Sequence, residues 1–239
     1  MAFMLLGPSE KMTEVVQISK TEGCTIELVT VKERNMLIDP LTLMFHKLPA
    51  DVRSHSIRAA VVAKLLAEQA ETLPKGMNMA VFSHTVWLGC LYHHLGAVSR
   101  KNKRQLPVLT EKIIKENMLN ALAGHKVDEY MMLDIARHCF ERADGSGYPD
   151  KLSGRDLSLA ARLVGFACAL DGMEQHENGD AQVASLLESG CCLFGAEVMT
   201  CFEGTRDEIF DLYLRHRQAC LCPAGRVGFK NSSERKRDI

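Results

Sequence analysis

The beginning of the chain and the rest of it differ in how hydrophobic and polar positions follow one another. From about Glu14 to Val31 the two kinds alternate around Glu22-Gly23, which is typical of a β-hairpin with one covered face. From Pro40 onward apolar residues recur three and four positions apart, which indicates helices. The pattern predicts an all-α domain at 39–219, with a small N-terminal β-hairpin extension at 1–38 and a C-terminal tail at 220–239.

Turn signals divide the helical part into separate segments. Met79–Leu95 is strongly apolar, so we expect it to form a central helix. Ala143–Gly154 is rich in turn residues and predicts a loop, and so does Glu177–Asp180. The other predicted helices are Ile57–Ala70, Thr110–Ala123, Val127–Arg142, Leu159–Met173, Ala181–Ser189, Ala196–Glu203 and Thr205–Ala219.

The composition is that of an ordinary globular protein and gives no support to nucleic acid or a membrane as partner. Apolar residues make up 46% and charged residues 25% of the chain, as in typical globular domains. Lys and Arg number 29 against 30 Asp and Glu, so the overall charge gives no reason to expect nucleic acid or a membrane as partner. The basic stretch 230–237 is expected to be a solvated terminus.

Localisation follows from the opening residues and the cysteines. Met1–Leu6 is apolar but lacks a basic leader and is too short for a signal peptide or a membrane span. Nine cysteines at irregular spacings indicate reduced thiols rather than a disulfide framework. We expect a cytoplasmic protein.

One extended motif resembles a known family. Asp144-Gly145-Ser146-Gly147-Tyr148-Pro149, with the residues that follow it up to Arg162, is very similar to the signature of HD-GYP domains. His55-Ser56-Ile57-Arg58 resembles the first histidine motif of that family, and Leu91–Gly96 stands in the place of its His-Asp motif. The resemblance covers roughly 51–203.

The resemblance implies a fold and an activity. HD-GYP domains are all-helical bacterial signalling domains that hold two or three metal ions, usually iron or manganese, between histidines and carboxylates. Their activity is hydrolysis of cyclic di-GMP, and the loop containing Asp144, Gly145, Gly147, Tyr148 and Pro149 would lie beside the nucleotide.

The ligand positions implied by the resemblance are only partly kept. His55 and His93 match family histidines. His94 stands where the metal-bridging aspartate is expected, and a neutral imidazole cannot bridge two metals as a carboxylate does. Ala97 replaces a lysine that would contact phosphate.

Three further positions of the family site are also changed. Cys139 and Phe140 align with paired histidines, and Cys168 aligns with the last aspartate ligand. A dinuclear iron or manganese centre is therefore not expected, and we expect a catalytically impaired domain.

Two interpretations of the altered site remain open. In the first, Cys139, Phe140 and Cys168 fill a former metal cavity and no metal is bound. In the second, imidazoles and thiolates hold a single metal ion, for which zinc is the best match; the candidate ligands are His55, His93, His94, Cys139 and Cys168. Such a site would be structural if four protein ligands closed it.

The expected function is binding rather than hydrolysis. The partner would be a signalling protein, such as a diguanylate cyclase domain, or a cyclic nucleotide. The alternative is a divergent metal-dependent phosphohydrolase acting on cyclic di-GMP or another phosphodiester. A third reading is an interaction module whose N-terminal hairpin is the contact surface. The sequence leaves the oligomeric state open.

Overall fold

The computed structural model describes most of the helical part of the chain and short pieces of its N-terminal segment. The described residues are 2–4, 15–17, 28–29, 40–99, 102–121, 126–174 and 179–221. Three short strands, β1 (Ala2–Met4), β2 (Val15–Gln17) and β3 (Leu28–Val29), form an antiparallel sheet in that order. Val15 pairs with Val29, so β2 and β3 lie within the predicted hairpin segment and pair as a hairpin requires.

The rest of the described chain is helical, which confirms the all-α fold class. Single 3₁₀ turns occur at Leu95–Ser99, Lys103–Gln105 and Gly154–Asp156. The helices are α1 (Pro40–His46), α2 (Ala50–Ala67), α3 (Met79–Tyr92), α4 (Leu106–Ala121), α5 (Glu129–His138), α6 (Leu159–Glu174), α7 (Gly179–Phe194) and α8 (Ala196–Leu221).

Helix α3 lies at the centre, as predicted. It begins at Asn78, whose side chain accepts a hydrogen bond from the backbone N–H of Val81, the usual way to satisfy a first-turn donor. Phe82 and Val86 belong to one hydrophobic cluster, with α2, α6, α7 and α8. Leu88 belongs to a second cluster, with α1, α4 and α5. A helix that is apolar on all sides is stable only when it is packed on all sides.

Several predicted helix bounds were wrong. The two helices predicted at Ala196–Glu203 and Thr205–Ala219 are one continuous helix, α8. Gly204 lies inside it, where a glycine costs about 1 kcal/mol, and burial of Phe202 and Ile209 on either side offsets that cost. Helix α5 ends at His138 rather than Arg142, because the following residues turn into the loop.

Other boundaries lie at the edge of the described residues. Helix α7 already includes Gly179 and Asp180, which were predicted to be loop. Residues 175–178 and 222–239 are outside the described part of the chain, as is most of the N-terminal extension, so the three domain boundaries stay predictions. Among the described helices, none combines the length and the apolar character needed to cross a bilayer.

Candidate metal centre

Three helices bring the predicted ligand residues together. His55 lies on α2, His93 and His94 follow the last turn of α3, and Cys168 lies on α6. The buried face of α2 carries the alanines Ala59, Ala60, Ala63 and Ala67. Small side chains let neighbouring helices approach closely, so short imidazole and thiol side chains can reach one another.

His55, His93 and Cys168 form a compact group. One ligand atom from each of the three side chains lies within 4.8 Å of the other two. The Nε2 atom of His93 is 3.3 Å from the sulfur of Cys168. His93 is fully buried, whereas the side chain of His55 is 21% exposed. Two imidazoles and one thiol in this arrangement can bind a metal ion.

Each histidine of this group has a second partner that orients its ring. The Nδ1 atom of His93 donates to the backbone carbonyl of Cys90, and because a carbonyl only accepts, the proton of His93 is on Nδ1. The Nδ1 atom of His55 is 2.7 Å from a carboxylate oxygen of Asp171. Such outer partners fix the tautomer of a ligand histidine and direct its Nε2 lone pair to the metal.

Asp171 is itself held by an arginine. Arg58 donates to both oxygens of the fully buried Asp171, from Nε at 2.8 Å and from Nη2 at 3.0 Å. Two parallel hydrogen bonds between guanidinium and carboxylate give a rigid pair. Asp171 therefore positions His55 and is not free to bind a metal.

The local electrostatics favour the thiolate of Cys168. A hydrogen bond from the Cys90 thiol lowers the pKa of Cys168 well below its usual value, in spite of burial, and the rings of His93 and His55 act in the same direction. Burial lowers the pKa of His55, but its hydrogen bonds to Asp171 and Cys168 outweigh burial and raise that pKa to about 10. Without a metal, this predicts a thiolate and an imidazolium side by side, and thiolate is the form that binds metals.

His94 lies beside the group without belonging to it. Its ring centroid is 3.9 Å from that of His93 and 5.3 Å from that of His55. Its buried Nδ1 atom has no hydrogen-bond partner among the described residues. Burial and the neighbouring His93 hold the pKa of His94 well below its usual value, so the ring is neutral.

Phe140 lies beside the rings of His93 and His94, and Cys139 precedes it in the chain. Cys139 is buried, and burial raises the pKa of its thiol well above the usual value. Cys139 is not in the group of three. The ring of Phe140 is 5.7 Å from that of His94 and stacks on Tyr148 at 5.4 Å. Of the five predicted ligands, the structure brings three together, and the roles of His94 and Cys139 stay predictions.

The predicted binding loop lies close to the histidines, because the ring of Phe140 lies between His94 and Tyr148 of the loop. Gly145 has φ of +79°, a backbone conformation that glycine adopts without steric cost. A Cβ atom on Gly147 would lie 2.3 Å from the Cα of Glu141. Asp144 accepts a hydrogen bond from the backbone of Ser146, and Pro149 follows Tyr148 through a cis peptide bond. The backbone of the loop thus accounts for the glycines at 145 and 147.

The loop is held by side chains of α5 and of the residues that directly follow this helix. Oε1 of the buried Glu141 accepts hydrogen bonds from the backbone N–H groups of Asp150 and Lys151, at 2.6 and 2.9 Å. Arg137 and His138 both contact the carboxylate of Asp150. His138 therefore belongs to the contacts of the loop and not to the group of His55, His93 and Cys168.

Sequence reasoning did not single out Cys90. It is fully buried on α3, and its thiol donates a hydrogen bond to Cys168. The spacing Cys90-x-x-His93 was the available signal, because residues three apart lie on the same face of a helix. No comparable sequence pattern indicated that Arg58 and Asp171 pair with each other and orient His55.

The comparison with protein families agrees with the motif analysis. Residues 94–188 match the family model of the HD domain, a segment that contains His94, Cys139, Cys168 and the loop. No curated protein matches the chain. A solved structure titled Bd1817, a HDG"Y"P protein from Bdellovibrio bacteriovorus, is similar at 14% identity and a TM-score of 0.48, over 65% of this chain and 52% of that one. This chain thus spans about half the length of that protein. The segment 94–188 is thus similar to HD domains, in agreement with the resemblance that the motifs indicate.

Proposed function

We propose that this HD domain holds one zinc ion in place of a hydrolytic metal pair, and that it acts by binding a signalling partner or cyclic nucleotide without hydrolysing it. The HD superfamily is phosphohydrolase-like, which is the part of this function that the family match supports directly. The observation that carries the rest is the group of His55, His93 and Cys168 within 4.8 Å.

The ligand set suits zinc and one ion only. Imidazole and thiolate are ligands that zinc binds well, whereas hydrolytic pairs of metals need bridging carboxylates and water. The carboxylate of Asp171, which contacts His55, is also engaged by Arg58. His94 cannot bridge as a carboxylate does, and Phe140 cannot ligate. A second metal ion would lack ligands among these residues.

Two positions from which a cation could hold a phosphodiester during hydrolysis are changed or engaged in the described part of the site. Ala97, in the 3₁₀ turn after α3, stands where the family has a lysine. The guanidinium of Arg58 is committed to Asp171. Developing negative charge on a phosphoryl group needs such donors or metal ions for stabilisation. The loop and the fold are kept while this machinery is changed, and this combination supports binding.

One observation favours the alternative, a divergent metal-dependent phosphohydrolase. Three protein ligands leave a fourth coordination position, and catalytic zinc keeps such a position for water. The side chain of His55 is 21% exposed, so solvent reaches the edge of the group. The two functions differ in turnover, which can be measured directly.

The test combines metal analysis with a hydrolysis assay on the full chain, purified anaerobically without chelators. We expect about one zinc per chain, lost in Cys168→Ala and kept in Cys201→Ala, which removes a buried thiol on α8 as a matched control. We expect no hydrolysis of cyclic di-GMP or a generic phosphodiester with added manganese, iron or zinc. Turnover that disappears in His93→Ala would establish the phosphohydrolase instead, and a metal-free protein would overturn the zinc site.

A further inference from the structure

A groove lies between α7, α8 and the end of α6, apart from the candidate metal centre. Its volume is about 560 Å³. The apolar part of its surface comes from two helices, with Val183 and Leu187 on α7 and Phe210 and Leu214 on α8. Leu214 is 54% exposed. A concave apolar surface that is open to solvent is typical of a binding site.

Three carboxylates line the groove beside these apolar side chains. They belong to Glu174 at the end of α6, Asp180 in the first turn of α7 and Asp211 on α8. Among the described residues that line the groove, Arg206 is the one with a positive charge, and it is 3.6 Å from Glu203. Helix α7 contains no Lys or Arg. The groove therefore favours an occupant that combines apolar groups with positive charge.

We propose that the basic segment 222–239 of this chain docks in the groove. Five residues of the segment are Lys or Arg and two are Asp or Glu, so its charge is opposite to that of the groove. Val227 and Phe229 are followed directly by Lys230, which places apolar and cationic side chains next to each other. The inference does not depend on the metal site, and it replaces the expectation that the stretch 230–237 is a solvated terminus.

The segment is long enough and begins close enough to reach the groove. Helix α8 lines the groove as far as Leu214 and ends at Leu221, and the helix between these residues is about 10 Å long. The chain from Leu221 to Phe229 can extend over about 26 Å, so it can turn back along α8. Pro223 and Gly225 are residue types that end helices and permit a change of direction.

The charge of the groove argues against other occupants. A second copy of the chain that presented the same groove would bring carboxylates against carboxylates, and a phosphate-containing ligand would be repelled in the same way. Asp211 already contacts Arg215. Exposed ion pairs of this kind are weak, so Asp211 can also accept a cation of the segment.

Zero-length carbodiimide cross-linking of the full chain tests the docking, because it joins a lysine amine to a carboxylate only where the two are in contact. We expect mass spectrometry to find links from Lys230 or Lys236 to Asp180 or Asp211. The exposed Glu129 at the start of α5, outside the groove, should form no such link.

A mixture of isotope-labelled and unlabelled chains shows whether each link lies within one chain. Links within one chain are expected. Links between labelled and unlabelled chains would show that the segment occupies the groove of a second copy, and they would overturn docking within the chain. The absence of links to both Asp180 and Asp211 would overturn it as well.

Trypsin cleavage after Lys230 gives a second measurement, because a docked segment is protected from the protease. Asp180→Asn/Asp211→Asn should speed this cleavage about threefold or more, as two charge contacts are lost. Glu116→Gln/Glu129→Gln removes the same charge outside the groove and should leave the rate unchanged. All four side chains are exposed, so both variants should fold. Equal cleavage rates in the two variants would contradict the docking.

Discussion

Asp171 and Glu141 are both buried carboxyl groups, and each positions one half of the candidate site. Asp171 is fully buried, paired with Arg58 and hydrogen-bonded to His55. Glu141 is 2% exposed and is held by two backbone N–H groups of the loop, while its Oε2 has no partner among the described residues. Asp171 is thus held by an ion pair with Arg58 and orients His55. Glu141 is held by main-chain N–H groups and stabilises the loop.

The two halves of the site therefore depend on different kinds of contact. The loop depends on backbone contacts, which leave little freedom at Gly147 or Glu141. The group of His55, His93 and Cys168 depends on contacts between side chains instead. The fold can thus be maintained while the chemistry of the centre changes.

The largest expected effect comes from removing the charge of Asp171. Asp171→Asn should lower the free energy of unfolding by about 4 kcal/mol, because the mostly buried Arg58 would lose its counter-charge. Urea unfolding measures this loss. The double variant Arg58→Gln/Asp171→Asn should be less destabilised than the sum of the single variants. Additive losses would contradict a coupled pair.

Crowding the loop should have the next largest effect. An alanine at 147 would place its Cβ 2.5 Å from the backbone nitrogen of Arg142, so Gly147→Ala should cost at least about 3 kcal/mol of unfolding free energy. Gly172→Ala on α6 is the matched control, since its Cβ would meet nothing within 4 Å. We expect that control to be neutral or stabilising by about 0.5 kcal/mol, as measured by thermal unfolding. Equal effects at both glycines would contradict the close packing.

The Glu141 side chain tests whether the loop and the metal group are independent. Glu141→Ala removes the acceptor of two backbone hydrogen bonds and should cost about 2 kcal/mol. Glu141→Gln keeps the Oε1 acceptor and should cost less. Metal content should be unchanged in both variants, so a loss of metal that accompanies the loss of stability would show that the two halves are coupled.

The smallest effect is a pH dependence at the loop. Burial lowers the pKa of His138, but hydrogen bonds and charge from Asp134 and Asp150 outweigh burial and raise it. The resulting stabilisation is complete below the unfolded pKa near 6.5 and is lost as the pH rises through the higher folded pKa. Because these groups are partly exposed, we expect less than about 1 kcal/mol.

The free energy of unfolding, measured between about pH 6 and pH 9 in wild type and in His138→Gln, isolates the contribution of His138 to stability. The difference between the two proteins should shrink as the pH rises. A difference that is constant or grows would contradict a protonated His138 between Asp134 and Asp150.

The sequence by itself determined the order of the helices, the central place of α3 and the loop after Phe140. It also singled out His55, His93 and Cys168 as candidate ligands. These features depend on residues that are close in the chain or on motifs with fixed spacing. Both can be recognised in the sequence, because residues on one face of a helix recur at a fixed interval.

Only the tertiary structure decided which of these side chains meet. His93 and Cys168 are 75 residues apart and His55 and Asp171 are 116 apart, so their contacts depend on how α2, α3 and α6 pack. Packing also made α8 continuous through Gly204, and it brought Cys90 against Cys168. Local spacing identifies the face of a helix on which a residue lies, but the partner of that face is set by close packing of the whole core.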